Sequence, residues 1–347
     1  MKVILMRVIA VVLCVVIVFG LVALFLRKKD KEDPINTIKT GNSNKTGIKA
    51  DTVMIEMNES YSATADEYFY HALGLREEYI NQYGAQIFDS YPELVDNILK
   101  EVDSMLIDNA AYSLWGSEVG FELSEEDLAS FEKDVEDLKA YLIEQGTTFK
   151  QHIAANNLTE ELFREVYIKN MYINKFVNDY LMLEMEKIEV SEEEIDKYIE
   201  EHSVLAAKHI LLTYEYAEDI EELSKAANEM LRLIVEDGED FDVVMRNFTM
   251  DTGFEENPDG YTFRTGEFVP EFEEVTRELE IGEISGVVES EYGVHIIKRI
   301  DINRDSVKSW IQQERMEEKR LSYEQRLDPK TTPERDGLIL LDMKSVI

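Results

Sequence analysis

VLAAKHILL, residues 204–212, is the stretch from which the fold of this chain can be worked out. Its β-branched and aliphatic residues in a short run read as a mostly buried strand. Side chains alternate along a strand, so His209 shares a face with Ala207 and Leu211. A second such run, GVHIIKRI at 293–300, puts His295 on one face with Ile297. A single strand histidine is ordinarily a hydrogen-bonded core residue. Two of them, at opposite ends of one domain, become a pair only if their strands are neighbours.

Between these strands the pattern reads as a helix from about Ile220 to Glu236 and a short one around Phe241 to Phe248. A loop rich in Gly, Asn, Pro and Asp follows, then the helix EFEEVTREL (271–279) and the strand EISGVV (283–288). This alternation of strands and helices predicts an α+β domain of about 100 residues.

Upstream, Asp51 to Met57 alternates like a short strand, and nearly everything from there to residue 200 reads as helix. Leu94, Val95, Ile98, Leu99, Val102, Met105 and Leu106 recur at three- and four-residue spacing. Ser124-x-x-Asp127 and Ser191-x-x-Glu194 resemble capping boxes, and Thr159 stands at the head of another apolar stripe. Stripes of this kind ordinarily form a helical core. A surplus of Tyr, Phe and Met among them would also suit a cradle for unfolded chain. Downstream, a charged helix carries Val307, Trp310, Ile311 and Met316, whose apolar positions need a partner.

Val8 to Leu26 is 19 residues without a charge, just enough to cross a hydrocarbon core of about 30 Å. No small-x-small cleavage site precedes Arg27-Lys28-Lys29, so the reading is an uncleaved anchor, with a cleaved signal as the alternative. Basic residues flank both ends and leave the orientation open. Residues 30–50, polar and with Pro34, form a tether.

The 347-residue, 40.2 kDa chain has 36 Lys+Arg against 73 Asp+Glu, a formal charge of −37, and is long enough for two or three domains. Six of those bases and three of the acids lie in the first 33 residues, so the remainder, with 30 bases and 70 acids, is more acidic still. A phosphate backbone is bound through Lys and Arg, so nucleic acid is not an expected partner. Cys14 is the only cysteine and lies in the apolar stretch, which excludes disulfides, zinc clusters and thiol catalysis beyond it. It reads as a small apolar residue of the anchor; Leu13 stands where lipid attachment wants a small residue.

AAKHILL, FDVVMRNFTMDTG, NPDGYTFRTGEFVPEFEEV and LEIGEISGVVESEYGVHIIKRID, in this order over about 204–301, resemble a parvulin-type peptidyl-prolyl isomerase domain. LTEELFREVYIKNMYINKF and VSEEEIDKYIEEH are similar to the chaperone region of PrsA and SurA foldases, a weaker signal because acidic amphipathic helices are common. The resemblance implies an α+β parvulin domain combined with an all-α SurA/PrsA-like helical chaperone domain, behind an N-terminal transmembrane helix. The expected layout is anchor or signal-anchor 1–29, flexible linker 30–50, helical chaperone domain 51–203 and parvulin domain 204–301. Residues 302–347 are then a C-terminal helix packing on the helical domain, plus a tail.

The resemblance also implies site residues. His209 and His295 fall on the family's paired histidines, Asp251 where parvulins carry Asp or Cys, and Thr249 on a nearby Ser; these four form the expected catalytic set. Phe268 and Phe272 fall on the proline pocket, with Leu211 beneath it and Tyr292 at its edge as further substrate-binding residues. No cofactor or metal is implied. An X-Pro bond rotates over a barrier of about 18–20 kcal/mol while its two wells differ by only about 0.5–1 kcal/mol. Catalysis therefore needs a dry slot for the ring and a polar frame that favours the twisted amide, without a covalent intermediate.

Two departures stand out. The usual Gly-Gly-x-Leu/Met-Gly turn is Pro258-Asp259-Gly260-Tyr261-Thr262, and Tyr292 replaces a small hydroxylated residue. Both bear on rate more than on fold. Phosphate-directed parvulins carry basic residues after the first strand, whereas TYEYAEDIEE stands here and 204–301 holds 8 bases against 25 acids. Phosphopeptide recognition is not expected; neutral or basic clients are. H-E-x-x-H, G-x-S-x-G and G-x-x-x-x-G-K-[ST] are absent, and the acidic loop from Asp251 has no glycine at its sixth position and no glutamate at its twelfth, as a calcium loop requires.

The resulting expectation is a single-pass, membrane-anchored extracytoplasmic foldase that isomerises X-Pro bonds in unfolded or newly exported proteins and also acts as a holdase. The alternative is a non-enzymatic holdase whose parvulin domain binds clients; a membrane adaptor without clients is the residual reading. Whether the helical region forms a homodimer is left open.

Overall fold

The computed structural model describes residues 48–58, 61–84, 86–155, 158–215 and 219–338. The expected anchor, Cys14, almost all of the tether and the end of the tail lie outside the described residues. Among the described residues no helix is long and apolar enough to cross a membrane. The chain divides into two compact units, one made of residues up to Lys187 and from Met316 onward, the other of Ile188–Arg315.

The first unit opens with β1 (Val53–Glu56) and β2 (Ser62–Thr64), followed by helices α1 (Ala65–Tyr83), α2 (Ile87–Ser90), α3 (Leu94–Glu118), α4 (Glu125–Glu144) and α5 (Phe149–Ala155). Helix α6 (Glu160–Lys175) runs into a π-helical turn, Phe176–Leu181, and α7 (Met182–Glu186). Ser124 and Asp127 cap α4 reciprocally, and the Thr159 hydroxyl accepts from Leu162 N at the head of α6. Met54, Ile55, Tyr68, Ile98, Leu99 and Val102 pack as one buried cluster. Trp115 stacks on Tyr323 in another. Phe131, Val135, Phe149 and Phe163 form a third.

Residues 51–203 are mostly helical, and the short strand expected at Asp51 to Met57 is β1. β1 is the middle strand of a small antiparallel sheet, between β2 and a strand from the other end of the chain, β7 (Lys330–Thr331). Two residues of strand carry no periodicity, so β7 left no mark in the sequence.

The second unit begins with α8 (Glu192–Glu201), capped by the Ser191–Glu194 box. Next come β3 (Leu205–Thr213), α9 (Ile220–Val235), α10 (Phe241–Phe248), β4 (Tyr261–Phe263), α11 (Pro270–Glu278), β5 (Ile284–Ser290) and β6 (Gly293–Arg299). The sheet is antiparallel in the order β4-β3-β6-β5. Ile210, Leu212, Val294 and Ile296 face α9 and α10, while Leu205, Ala207 and Ile297 face α11. β3 and β6 are neighbours, with Leu211 opposite His295 and His209 opposite Ile297, so the two imidazoles lie diagonally on the α11 face. Gly293 opens β6 at φ +135°, where a Cβ would stand 2.1 Å from the Leu212 carbonyl; only glycine lets the strands approach there.

This unit is wider than the expected 204–301 at both ends. Helix α12 (Arg304–Leu327) contributes Val307, Trp310 and Ile311 to a buried cluster with Ile195, Tyr198 and Val204. Arg264, just after β4, lies over the rings of Trp310 (4.7 Å) and Tyr198 (5.6 Å). Arg304 bonds Glu192 and Asp196, and Gln312 reaches the Ile188 carbonyl. The first half of α12 covers α8, and the apolar residues from Met316 to Leu327 belong to the first unit, as does α13 (Pro333–Leu338).

Candidate active site

Strand alternation delivers His209 and His295 to the same face, and α11 delivers Phe272 onto them. Phe272 is fully buried, edge-on to His209 at 5.2 Å and to His295 at 5.6 Å, and stacked on Phe268 at 4.9 Å. Phe268 also meets Phe263 at 4.5 Å and remains partly exposed, so the accessible part of this aromatic cluster is Phe268, with Phe272 as its floor. Leu211 is buried on the same face, next to the pair.

The imidazole planes are nearly parallel, 12° apart, and their Nδ1 atoms face each other at 3.1 Å. One must donate and the other accept. His209 Nε2 lies 3.0 Å from Asp251 Oδ2, and Ser290 Oγ lies 2.7 Å from His295 Nε2. The Tyr261 hydroxyl donates to the same Asp251 Oδ2 at 2.5 Å, while Gly253 N donates to Oδ1 at 3.1 Å. Burial pushes the Asp251 carboxyl up, but the donors His209, Tyr261 and Gly253 N outweigh it and hold the group at about 2. Burial, and then the bond to Asp251, raises the Tyr261 phenol well above its ordinary range. Burial, followed by the charge of His209, lowers His295 to about 4.

These facts order the protons. Asp251 is an anion that only accepts, so His209 presents Nε2–H to it. Since His209 Nε2 carries the hydrogen towards Asp251, the arrangement in which His295 donates Nδ1–H to His209 Nδ1 and accepts from Ser290 at Nε2 satisfies every group in the row. Each group then has one direction, and the row ends on a fixed negative charge. What the arrangement supplies is a rigid polar frame beside an aromatic surface, the combination a twisting amide requires.

The remaining expected residues fall elsewhere. The Thr249 hydroxyl accepts from Leu211 N (3.2 Å) and Asp251 N (3.3 Å), so it ties the loop after α10 to β3 instead of joining the imidazoles. Tyr292 is 58% exposed in the turn between β5 and β6, and its backbone N donates to Ser290 Oγ at 3.2 Å. Tyr261 and Ser290 are the site residues that sequence reasoning missed. Ser290 lies five residues before His295 across a tight hairpin, a spacing that could have pointed to it. Tyr261 carried no such signal and registered only as part of an unusual turn. Among the described residues, no three His, Cys, Asp or Glu side chains are grouped to hold a metal ion.

Acid should weaken this unit in a defined window. His295 takes its proton near 4 in the folded state and near 6.5 when unfolded, so between these values the unfolded chain binds more protons. Stability then falls as pH drops from about 6.5 to about 4, by on the order of 2–3 kcal/mol in all. The Asp251 shift adds a further loss from 3.8 towards about 2. Unfolding followed by Trp310 fluorescence at pH 7 and pH 4.5 checks this: the difference should shrink in His295→Asn, and equal loss in both proteins would contradict it.

Residues 209–301 match the family model of the PPIC-type PPIASE domain, or rotamase. The chain is 36% identical over 160 residues to the foldase protein PrsA of Oceanobacillus iheyensis, covering 45% of this chain and 46% of that protein. It is 26% identical over 267 residues to the foldase protein PrsA of Clostridium perfringens (strain 13 / Type A), covering 73% of this chain and 74% of that protein. The first curated relatives are thus matched over about half of their length. The crystal structure of PrsA from Bacillus subtilis aligns over 80% of this chain and 92% of that one, with 17% identity and a TM-score of 0.31.

Proposed function

We propose, for a chain that carries a PPIC-type rotamase domain over residues 209–301, a foldase that catalyses cis–trans isomerisation of X-Pro bonds in unfolded or newly exported proteins. The observation that carries this reading is the continuous row Ser290–His295–His209–Asp251 lying against the Phe268–Phe272 surface. In this reading the pyrrolidine ring rests on Phe268, and the fixed dipoles favour the amide once conjugation is broken. His209, Asp251 and His295 form the frame, and Thr249 holds its loop. Leu211 and Phe272 line the floor, and Tyr292 meets the client's flanking residues.

The apolar run Val8–Leu26 would tether the soluble part on the outer side of the membrane, the side where newly exported chains fold. The first unit would hold clients: large apolar side chains such as Ile143, Met182 and Leu183 stay exposed on it. The 25 acids against 8 bases in 204–301 favour clients with neutral or basic residues beside proline.

The test is isomerisation of a short X-Pro peptide series by residues 50–347, with X apolar, basic and acidic. Acceleration in all three is expected, with the acidic peptide slower by roughly threefold to tenfold at low salt and the gap narrowing as salt screens the field. A well-folded fragment with no acceleration would leave the alternative, a holdase that uses this domain only to bind.

A further inference from the structure

The Tyr261 phenol is not needed to complete the row of histidines, yet it lies on the carboxylate at which that row ends. It makes the shortest contact in the site, and no phenol belongs to the Gly-Gly-x-Leu/Met-Gly turn that parvulins usually carry at this place. We propose that Tyr261 is a positioning residue, which holds Asp251 Oδ2 in line with His209 Nε2 and thereby sets the plane and proton arrangement of His209. This rests on the isomerase reading above for its effect on rate.

Four observations support it. Oδ2 receives both Tyr261 OH and His209 Nε2–H, so the phenol fixes the oxygen that the imidazole uses. Oδ1 is held separately by Gly253 N, so the carboxylate is pinned at both oxygens and cannot rotate away. The Tyr261 ring is itself placed by edge contacts, 5.7 Å from His209 and 5.4 Å from Phe268, so the aromatic surface and the polar frame share one side chain. Finally, the backbone makes room for it: a Cβ at Gly253 would stand 2.5 Å from the phenol oxygen but no closer than 3.5 Å to anything else. Gly253 is at an ordinary φ, so this space, and not backbone strain, is what its missing side chain provides.

The charged and titratable groups around Asp251 are His209 on β3, His295 on β6 and Tyr261 on β4, with Glu256 of the intervening loop acting on Tyr261. Of these, Tyr261 can be altered without touching the histidines. Tyr261→Phe keeps the ring and removes the donor. Gly253→Ala keeps the phenol and pushes its oxygen off Asp251, an inexpensive shift because the displaced atom is the end of a side chain. Each variant should lower kcat on an X-Pro peptide by about threefold to tenfold, with KM within about twofold.

The two changes act through one contact, so the double variant should lose no more than either single one. The second readout is the His209 Nε2–H proton in NMR spectra of the soluble part. Its exchange with water should quicken in both variants, while the Trp310 indole resonance stays in place. Variants with unchanged kcat and unchanged exchange overturn the proposal, as do losses that add in the double variant. A wild-type protein without turnover would sink the isomerase reading, and the exchange measurement would still decide whether Tyr261 holds the carboxylate in line with His209.

Discussion

Asp251→Asn should lower X-Pro isomerisation by about ten- to a hundredfold while leaving the far-UV spectrum nearly unchanged. The substitution keeps the shape of the side chain. What it removes is the fixed negative charge, and it offers an NH₂ group where His209 and Tyr261 both need an acceptor. If the amide oxygen turns towards His209, the NH₂ meets Gly253 N; if it turns the other way, two donors face each other at Oδ2's place. His209 then loses the partner that holds its tautomer, and the direction of the whole row is lost. The ceiling on the effect comes from the reaction. Prolyl bonds already turn over in tens to hundreds of seconds unaided, and the Phe268–Phe272 surface that receives the ring is untouched. A protease-free assay on the X-Pro peptides measures it; activity within twofold of wild type would remove Asp251 from the mechanism.

The largest stability loss should follow Arg320→Met in the first unit. Arg320 is 2% exposed, and its guanidinium bonds Asp108 at 2.5 Å, Glu317 at 2.8 Å and Glu324 at 2.9 Å. A buried arginine surrounded by three carboxylates is a weak source of net stability, because desolvation cancels much of the attraction. Removing it is a different matter: three acids lose the cation that sits between them. The expected cost is about 3–5 kcal/mol. Trp115 in the first unit and Trp310 in the second are the only tryptophans of the chain, so a Trp310→Phe background isolates the first unit's unfolding. A midpoint within experimental error of the parent would show that the carboxylates find other compensation.

These two sites differ in how far the sequence disclosed them. His209 and His295 were legible because strand alternation is a local rule: the period of two assigns each side chain a face whatever the strand pairs with. The helix caps at Ser124, Thr159 and Ser191 were legible for the same reason, each being a bond between residues three apart. Asp251, Phe268 and Phe272 were reached through the family resemblance. The structure gathers them with the histidines, and places Thr249 and Tyr292 in supporting and exposed positions.

Other features exist only once the chain has closed on itself. Arg320 and Asp108 are 212 residues apart, and neither carries a periodic signal that names the other. β7 meets β1 across most of the chain, and Trp310 reaches Tyr198 and Arg264 only because α12 lies along α8. Tyr261 looked like one residue of a turn until the loop returned it to Asp251. The sequence by itself determined most of the helices and the longer strands, which face each strand residue takes and that a rotamase-like sheet would carry two histidines. Only the tertiary structure decided the limits of the second unit, the partner of each buried charge and the donors on Asp251. The physical reason is that periodicity and capping are short-range and repeat many times, whereas a long-range contact is made once and is specified by the packing of everything between its two ends.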